Sequence, residues 1–493
     1  MGGSARLLAE AARYVAGDPR ASFPVRSDLV WFDERKVATL PAAAANVMVV
    51  DPGEPIGRGL LLLSEGGDRF YRIGMEAGPE DITVELGLES ASKQATLTDL
   101  TGDGQVDMVV WDGEALKLIA RTGDGEGGRF QSPRRLVDLD ECLSLDPLTV
   151  DGGRAGLIIG TSEGAVLLVP DGDAFRLEQL NASEAEAAGI KGLGPGGFCT
   201  VGDFTGNGRN DVMQLHSDGA LLHPAEGPGR FAPPQLIDVE LPRRPRTVVL
   251  GDFTHDGRLE VKVGGDGGMV LLGRRGDDGD WADLTHLTYE LNHHGNQYGP
   301  RVSVLAAADV NSDGRQGVAM FYADRKPMLF FNRGFGCFGW ARELDIDAAG
   351  QSLAGVAFDV DPGEDLQALA ALGRGQSAAV MTDLNGSGAS DLFAVAAESH
   401  EAWAIFGQRD EAGRLRALEV ALPPRATEPE TIHVRDGRRP EAPGAIHVVQ
   451  PGRPITLARD RAGPVELRWR DAEGKQRTEE VIVVRDDHRI ELE

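Results

Sequence analysis

Asp99-Leu100-Thr101-Gly102-Asp103-Gly104-Gln105-Val106-Asp107 decides how the rest of this chain is read. Oxygen-bearing side chains stand at alternating positions, a glycine sits sixth and an acid closes the phrase at the ninth. The phrase returns as DFTGNGRND at Asp203–Asp211, DFTHDGRLE at Asp252–Glu260, DVNSDGRQG at Asp309–Gly317 and DLNGSGASD at Asp383–Asp391. The residues after each copy recur as well. A short apolar strand (Met108–Trp111, Val212–Leu215) leads to a turn (Asp112-Gly113, Ser217-Asp218-Gly219) and a second strand (Leu116–Ala120, Pro327–Phe331). A Gly-rich turn then ends at Phe130, Phe231, Trp281, Phe338 or, in the fifth copy, Leu415, and a third strand such as Arg135–Leu139 closes the unit.

The opening aspartates lie 104, 49, 57 and 74 residues apart. The first interval is twice 52, and a worn copy stands at its middle, Val150-Asp151-Gly152-Gly153-Arg154-Ala155-Gly156. Another step back from Asp99 lands on Asp51, which leads into Leu60–Leu63. Units of about 50 residues with three or four strands are the mark of propeller blades. No blade covers both of its faces alone, so the ring is the folding unit. The expectation is an all-β chain, a seven-bladed β-propeller over residues 25–422. A short helical segment (1–24) precedes it. A Pro-rich linker (423–442) and a small C-terminal β-sandwich-like domain (443–493) come after it. Leu29–Asp33 has strand composition and is expected to complete the seventh blade.

Composition agrees. The 493 residues include 65 glycines, about 13% against a usual value of about 7%, as many tight turns require. A hydrophobic content of 41% excludes a mostly disordered chain. The net charge of −28 makes nucleic acid and anionic membranes poor partners. Apolar runs such as Leu60–Leu63 are strand-sized, so no membrane span is expected. Cys142, Cys199 and Cys337 are too scattered for a disulfide framework or a CxxC metal site and read as small buried hydrophobes. The N-terminus lacks an apolar signal core, because Glu10 and Arg13 interrupt Leu7–Val15, and it reads as an amphipathic helix.

The phrase itself reads as an oxygen cage. Calcium takes six to eight oxygens, and alternating side chains plus one backbone carbonyl supply them around a glycine turn. The candidate ligands are Asp99, Thr101, Asp103, Gln105 (backbone) and Asp107; Asp203, Thr205, Asn207, Arg209 (backbone) and Asp211; and Asp252, Thr254, Asp256, Arg258 (backbone) and Glu260. Asp309, Asn311, Asp313 and Arg315 (backbone) lack a ninth ligand, since Gly317 stands there, and Asp383, Asn385 and Asp391 carry the weaker Ser387 at the fifth position. Ligand and carboxylate counts rank Asp99–Asp107 first, then Asp252–Glu260, Asp203–Asp211, Asp383–Asp391 and Asp309–Gly317. Asp-Gly and Asn-Gly also form good turns without metal; five such loops at blade spacing argue for more than turns.

With its trailing strands and Gly-rich turns, this repeat resembles the FG-GAP/VCBS family, also found in integrin α-subunit propellers. The resemblance covers about 370 residues and implies calcium in the loops and a ligand-binding or scaffolding role. The tail Val465-Glu-Leu-Arg-Trp-Arg is weakly similar to a small module found after VCBS repeats in bacterial secreted proteins.

Other motifs are set aside. Gly160-Thr161-Ser162-Glu163-Gly164 fits a nucleophile elbow, but a strand and not a helix comes after it. Gly123–Gly128 and Gly192–Gly197 fit G-x-G-x-x-G with no helix after either. Arg275-Gly276-Asp277 reads as a chance tripeptide in a turn, and Asn181-Ala182-Ser183 is a sequon that matters only in a eukaryotic secretory pathway. The polar run Asn292–Pro300 and the insertion Ala348–Gly375 are candidates for elements covering a face of the ring.

The expected function is a non-catalytic, calcium-stabilised binding or scaffold module for a protein or polysaccharide, either a monomer or part of a larger surface assembly. Loops of this kind fill where calcium is millimolar, so the expected location is extracellular or periplasmic. The alternative is a propeller enzyme, a polysaccharide lyase or a quinoprotein-like dehydrogenase, and a third reading is a closing element in a toxin assembly. Few lysines, five tyrosines and the −28 charge weigh against a lyase, which needs a base beside cations that neutralise a uronate.

Overall fold

The structure is a computed structural model. It describes residues 31–492 except 54–55, 74–78, 122–128, 181–195, 255, 276–278, 286–300, 310–314, 325–326, 331, 333–341, 344–374, 386–389, 409–415, 438–443, 460–462, 471–474 and 484–487. The expected helix at 1–24, the polar run Asn292–Pro300, residues 348–374 of the insertion and Cys337 lie outside the described residues.

The chain is all-β. Each recurring phrase is the connection between the first two strands of a four-stranded antiparallel sheet. The first sheet runs Ala44–Val50, Gly59–Ser64, Arg69–Arg72 and Glu80–Asp81, the second Gln94–Thr98, Asp107–Trp111, Ala115–Ile119 and Arg134–Asp138, and the third Ser144–Val150, Arg154–Thr161, Gly164–Asp171 and Ala174–Gln179. The fourth holds Gly196–Gly202, Asp211–His216, Gly219–His223 and Gln235–Ile237, and the fifth Pro245–Gly251, Glu260–Gly265, Gly268–Arg275 and Asp280–Asp283. The sixth holds Val302–Ala308, Gly317–Tyr322, Met328–Phe330 and Arg342–Glu343. Pairing begins at the ninth residue of each phrase, as in Thr98↔Asp107, Gly202↔Asp211 and Gly251↔Glu260.

The seventh sheet is assembled from both ends of the chain. Gln376–Thr382, Asp391–Ala396 and Glu401–Gln408 supply three strands, and Trp31–Thr39 pairs antiparallel with the last of them from Trp31↔Gln408 to Thr39↔Glu401. First strands of successive sheets touch one another in chain order, and Gln376–Thr382 touches Ala44–Val50, so the seven sheets make a closed circuit. The core lies between sheets. Met48, Leu61 and Leu63 of the first meet Leu97, Met108 and Val110 of the second, and Leu60 and Leu62 meet Phe393 and Val395 of the seventh. Each fully buried aliphatic side chain contributes about 1.5–3 kcal/mol, and both faces of a sheet must be covered to collect it. Helix is nearly absent among the described residues: one turn at Thr83–Leu86 and a 3₁₀ turn at Asp151–Gly153.

The tail departs from the sequence reading in two places. Glu430–Asp436 lies inside the segment read as a linker, yet it is a central strand between Ala445–Val449 and Gly463–Arg470, with Gln476–Val483 beyond. Arg416–Ala421, read as part of the ring, is the middle strand between Ile455–Arg459 and His488–Glu491. The surrounding prolines and charges hide the apolar residues that do the pairing. Leu418, Val420 and Ile432 are buried with Val449, Val465, Leu467, Trp469, Val481 and Val483 in a core of the tail's own.

Trp31–Thr39 covers the outer edge of the seventh sheet and adds backbone pairing to the closure. A chain beginning at residue 40 is expected to leave Glu401–Gln408 as an open edge, to melt roughly 10 °C lower and to self-associate. Scanning calorimetry with light scattering measures both; an unchanged midpoint contradicts the closure.

Candidate metal centres

Three of the phrases fold alike. The first-position carboxylate accepts backbone N–H groups from the turn it begins. Asp99 Oδ1 takes Gly102 (2.7 Å) and Asp103 (3.0 Å), and Oδ2 takes Gly104 (2.8 Å). Asp203 Oδ2 takes Gly208 (2.8 Å), and Asp252 takes Asp256 and Gly257 (3.0 Å each). The fifth-position side chain accepts from the seventh residue: Asp103 from Gln105 (2.9 Å), Asn207 from Arg209 (2.8 Å) and Asp256 from Arg258 (3.0 Å). The ninth-position acid reaches back to the third N–H, in Thr101 to Asp107 (2.9 Å), Thr205 to Asp211 (2.8 Å) and Thr254 to Glu260 (2.9 Å). The sixth-position glycines Gly104, Gly208 and Gly257 hold φ of 82°, 79° and 81°, which L side chains resist.

These hydrogen bonds leave buried negative charge. Burial pushes Asp107 up to about 6, with Thr101 opposing and Asp103 adding to the rise. Asp99, Asp203 and Asp211 are raised for the same reason, and burial together with Asp252 and Asp256 raises Glu260 strongly. Asp107 Oδ1 and Asp203 Oδ1 are buried without a well-formed hydrogen bond, although the Arg121 N–H lies near the first carboxylate and the Gly206 and Asn207 N–H groups near the second. Against this, no three carboxylate, imidazole or thiolate side chains converge among the described residues. The donor set therefore fits calcium only if hydroxyls, the seventh carbonyl and water complete it.

The other two loops are described in part. Leu384 N–H donates to Asp391 Oδ2 (2.7 Å), and Asp383 and Asp391 are buried. Ser390 donates to the Asp309 carbonyl (3.3 Å), and Arg315 donates to the Asn332 carbonyl (3.0 Å). Asn311, Asp313 and Ser387 lie outside the described residues.

The sequence reading missed that the tail lies across these loops. Thr149 and Thr427 share a hydrogen bond (2.7 Å), Asn210 donates to the Pro429 carbonyl (2.7 Å), and Gln316 pairs with His447 (2.9 Å). Ile446 packs in the core between the fourth and fifth sheets. The turn at Gln450–Arg453 seats on the first three sheets. Asp51 N–H donates to the Gly452 carbonyl (2.6 Å), a Cβ at Gly452 would lie 2.9 Å from Leu97 and Val106, and Gln450 donates to Asp146 (3.3 Å). Asp146 is pushed up to about 6 by burial, opposed by Arg453 and Gln450.

The worn first copy has a cation of its own. Asp51 is buried and paired with Arg489 of the tail. Arg489 also meets Glu419 (2.9 Å), Glu419 meets Arg58 (2.8 Å), and Arg58 donates to Thr382 of the seventh sheet. A guanidinium thus neutralises the first-position carboxylate at the seam where the circuit closes. Arg470, likewise from the tail, lies on Gly208 of the fourth-sheet loop, where a Cβ would be 2.0 Å from its Cδ. No spacing rule connects residue 489 to residue 51; only an excess of arginine in the tail hinted at such pairs.

No protein-family model matches the chain, and no curated protein matches it. Among solved structures it is similar to BBS1N in complex with ARL6DN (12% identity, 78% of this chain and 98% of that one, TM-score 0.44). It is also similar to an Agrocybe aegerita lectin described as recognising non-reducing terminal N-acetylglucosamine (15%, 67% and 93%, 0.43). A third is the exotype rhamnogalacturonan lyase YesX (12%, 76% and 75%, 0.40). At these identities and scores, neither partner nor activity transfers to this chain.

Two outcomes are expected. In a double-mutant cycle, Asp51→Asn and Arg489→Gln should couple by about 1 kcal/mol or more in denaturant unfolding; strict additivity contradicts the pair. In chelator, Asp107 binds its proton more readily folded (about 6) than unfolded (3.8). The calcium-free chain should therefore gain stability, on the order of 2 kcal/mol, as pH falls through 6 towards 4, and carry the full penalty above 6. Asp107→Asn should remove that part of the slope, as urea titrations at several pH values would show.

Proposed function

We propose that the circuit of sheets is a seven-bladed β-propeller of FG-GAP/VCBS type, capped by a C-terminal β module that begins near Arg416. On this reading the chain is a non-catalytic, calcium-stabilised binding or scaffold module for a protein or glycan outside the cell or in a periplasm. The observation that carries it is the tail's seating on the loop side. In an antiparallel meander, the first-to-second loops open on one side. The second-to-third turns and the sheet-to-sheet connections open on the other. The chain's own tail bonds to or packs on the loop side at six sheets and reaches the seventh through Arg58. A side covered by the chain's own tail supports a structural role there and leaves the opposite side for a ligand. A lyase or dehydrogenase would instead need its reacting groups assembled at an open channel.

Calcium in the loops supports the proposed location as well. At roughly 1 mM calcium and a Kd of roughly 0.1 mM, each site adds about 1.4 kcal/mol. Cytosolic calcium is too dilute to fill sites of that affinity.

Calorimetric titration of the chelated protein with calcium is expected to show binding, with one strong site lost in Asp103→Ala. Melting with millimolar calcium should rise by roughly 2–4 °C per filled site over chelator. No heat of binding and no shift would leave the loops as turns and remove the argument for an extracellular home. Eliminative cleavage of polygalacturonate, tracked by ultraviolet absorbance, would favour the enzyme alternative.

A further inference from the structure

The side opposite the tail carries acids at its second-to-third turns, and two of them meet one lysine each. Glu65 meets Lys93 (3.0 Å) in the first sheet, and Asp112 meets Lys117 in the second. The fifth sheet differs. Asp266 accepts Arg246 Nε (3.0 Å) and Nη2 (3.4 Å), and Arg301 Nε lies 3.3 Å from the same oxygen that takes Arg246 Nε. Arg244, two residues before Arg246, is exposed like Arg246 and Arg301.

The backbone that presents these groups is fixed. Pro242 and Pro245 are buried on either side of Arg243-Arg244, and Arg243 N–H donates to the Asp266 carbonyl (3.1 Å). A Cβ at Gly265 would lie 2.3 Å from the Arg244 carbonyl, so glycine is required for this close approach. Asp266 consumes part of two guanidinium forks and holds both in place. Arg246 and Arg301 remain exposed, and a planar anion can be gripped by two guanidinium donors at once.

We propose that Arg244, Arg246 and Arg301, organised by Asp266, form a binding site for the carboxylates of an acidic polysaccharide, a uronate-bearing glycan. This rests on the reading of the chain as a binding module and gives that reading a ligand class. The field of the acidic remainder of the protein is screened within about 8 Å at physiological salt, so it does not forbid a polyanion at this site. A uronate chain suits the surface better than an acidic peptide. Peptide and protein partners bind through buried apolar anchors. The exposed large apolar side chains among the described residues are Val84, Leu177, Leu236 and Ile482, none of them in 242–246, 265–267 or 301.

The test is titration calorimetry of the full chain in calcium with polygalacturonate, neutral dextran and polyglutamate as probes. Arg246→Gln/Arg301→Gln and Arg244→Gln are compared with the exposed Arg134→Gln as control, after melting shows that each variant is folded. The expected result is binding of polygalacturonate that weakens steeply with salt, falls at least tenfold in the double variant and several-fold in Arg244→Gln, and is unchanged in Arg134→Gln. Dextran should not bind, and polyglutamate should bind at least tenfold more weakly. Three results would overturn the proposal: no binding of polygalacturonate by the unmodified chain, equal binding by the variants, or polyglutamate binding as tightly. Equal binding by the variants removes this site and leaves the binding-module reading standing, whereas cleavage of the probe removes that reading itself.

Discussion

Eight residue pairs between Trp31–Thr39 and Glu401–Gln408 hold the two ends of the circuit together. A sheet at the end of an open row would expose one apolar face and one strand edge, and both are costly in water. In this chain the last sheet borrows its fourth strand from the N-terminus and packs Phe393 and Val395 against Leu60 and Leu62. The same seam carries a continuous chain of polar contacts through tail, first sheet and seventh sheet, Asp51–Arg489–Glu419–Arg58–Thr382. Closure by backbone pairing and closure by charge therefore fall on one radius of the ring.

The loops and the tail are two solutions to one electrostatic problem. A carboxylate at the first position of the phrase is needed to tie its turn together through backbone N–H groups. It is buried by the next strand of its sheet, and burial of an unneutralised charge is unfavourable. Where the phrase is intact, the fifth-position side chain accepts from the seventh N–H and the ninth-position acid from the third N–H. Where the phrase has lost those oxygens, at Asp51, a guanidinium from the tail comes to the carboxylate instead. On the proposed reading the Arg489 guanidinium stands at Asp51 where an intact loop would take a dissociable cation, and it makes docking of the tail part of the stability of the ring.

Much of this was legible in the sequence, for a physical reason. A repeat of turn chemistry at blade spacing cannot be hidden, because each glycine and aspartate in it answers a local backbone need. Gly104, Gly208 and Gly257 stand in the left-handed region that the sixth position of the phrase demands. The worn copies at Asp51 and Asp151 are legible from the interval together with the strands that follow them, Leu60–Leu63 and Leu157–Ile159. The tail was harder. Arg416–Ala421 continues the spacing of a blade strand but pairs with Ile455–Arg459 and His488–Glu491, partners far away in the chain. Glu430–Asp436 alternates apolar and polar residues too briefly to stand out from its prolines. Above all, the pairing of Arg489 with Asp51 and of Arg246 and Arg301 with Asp266 depends on where strands end in space, which composition does not encode.

We propose that the first-position carboxylates of this ring are cation sites, filled by calcium in the intact loops and by arginine in the worn one. Anomalous scattering from crystals grown with calcium tests it directly. The account predicts anomalous peaks within the Asp99–Asp107, Asp203–Asp211 and Asp252–Glu260 loops and none at Asp51, where the Arg489 guanidinium should be seen instead. An absence of peaks in all three loops, or a peak at Asp51 with Arg489 turned away, would contradict it.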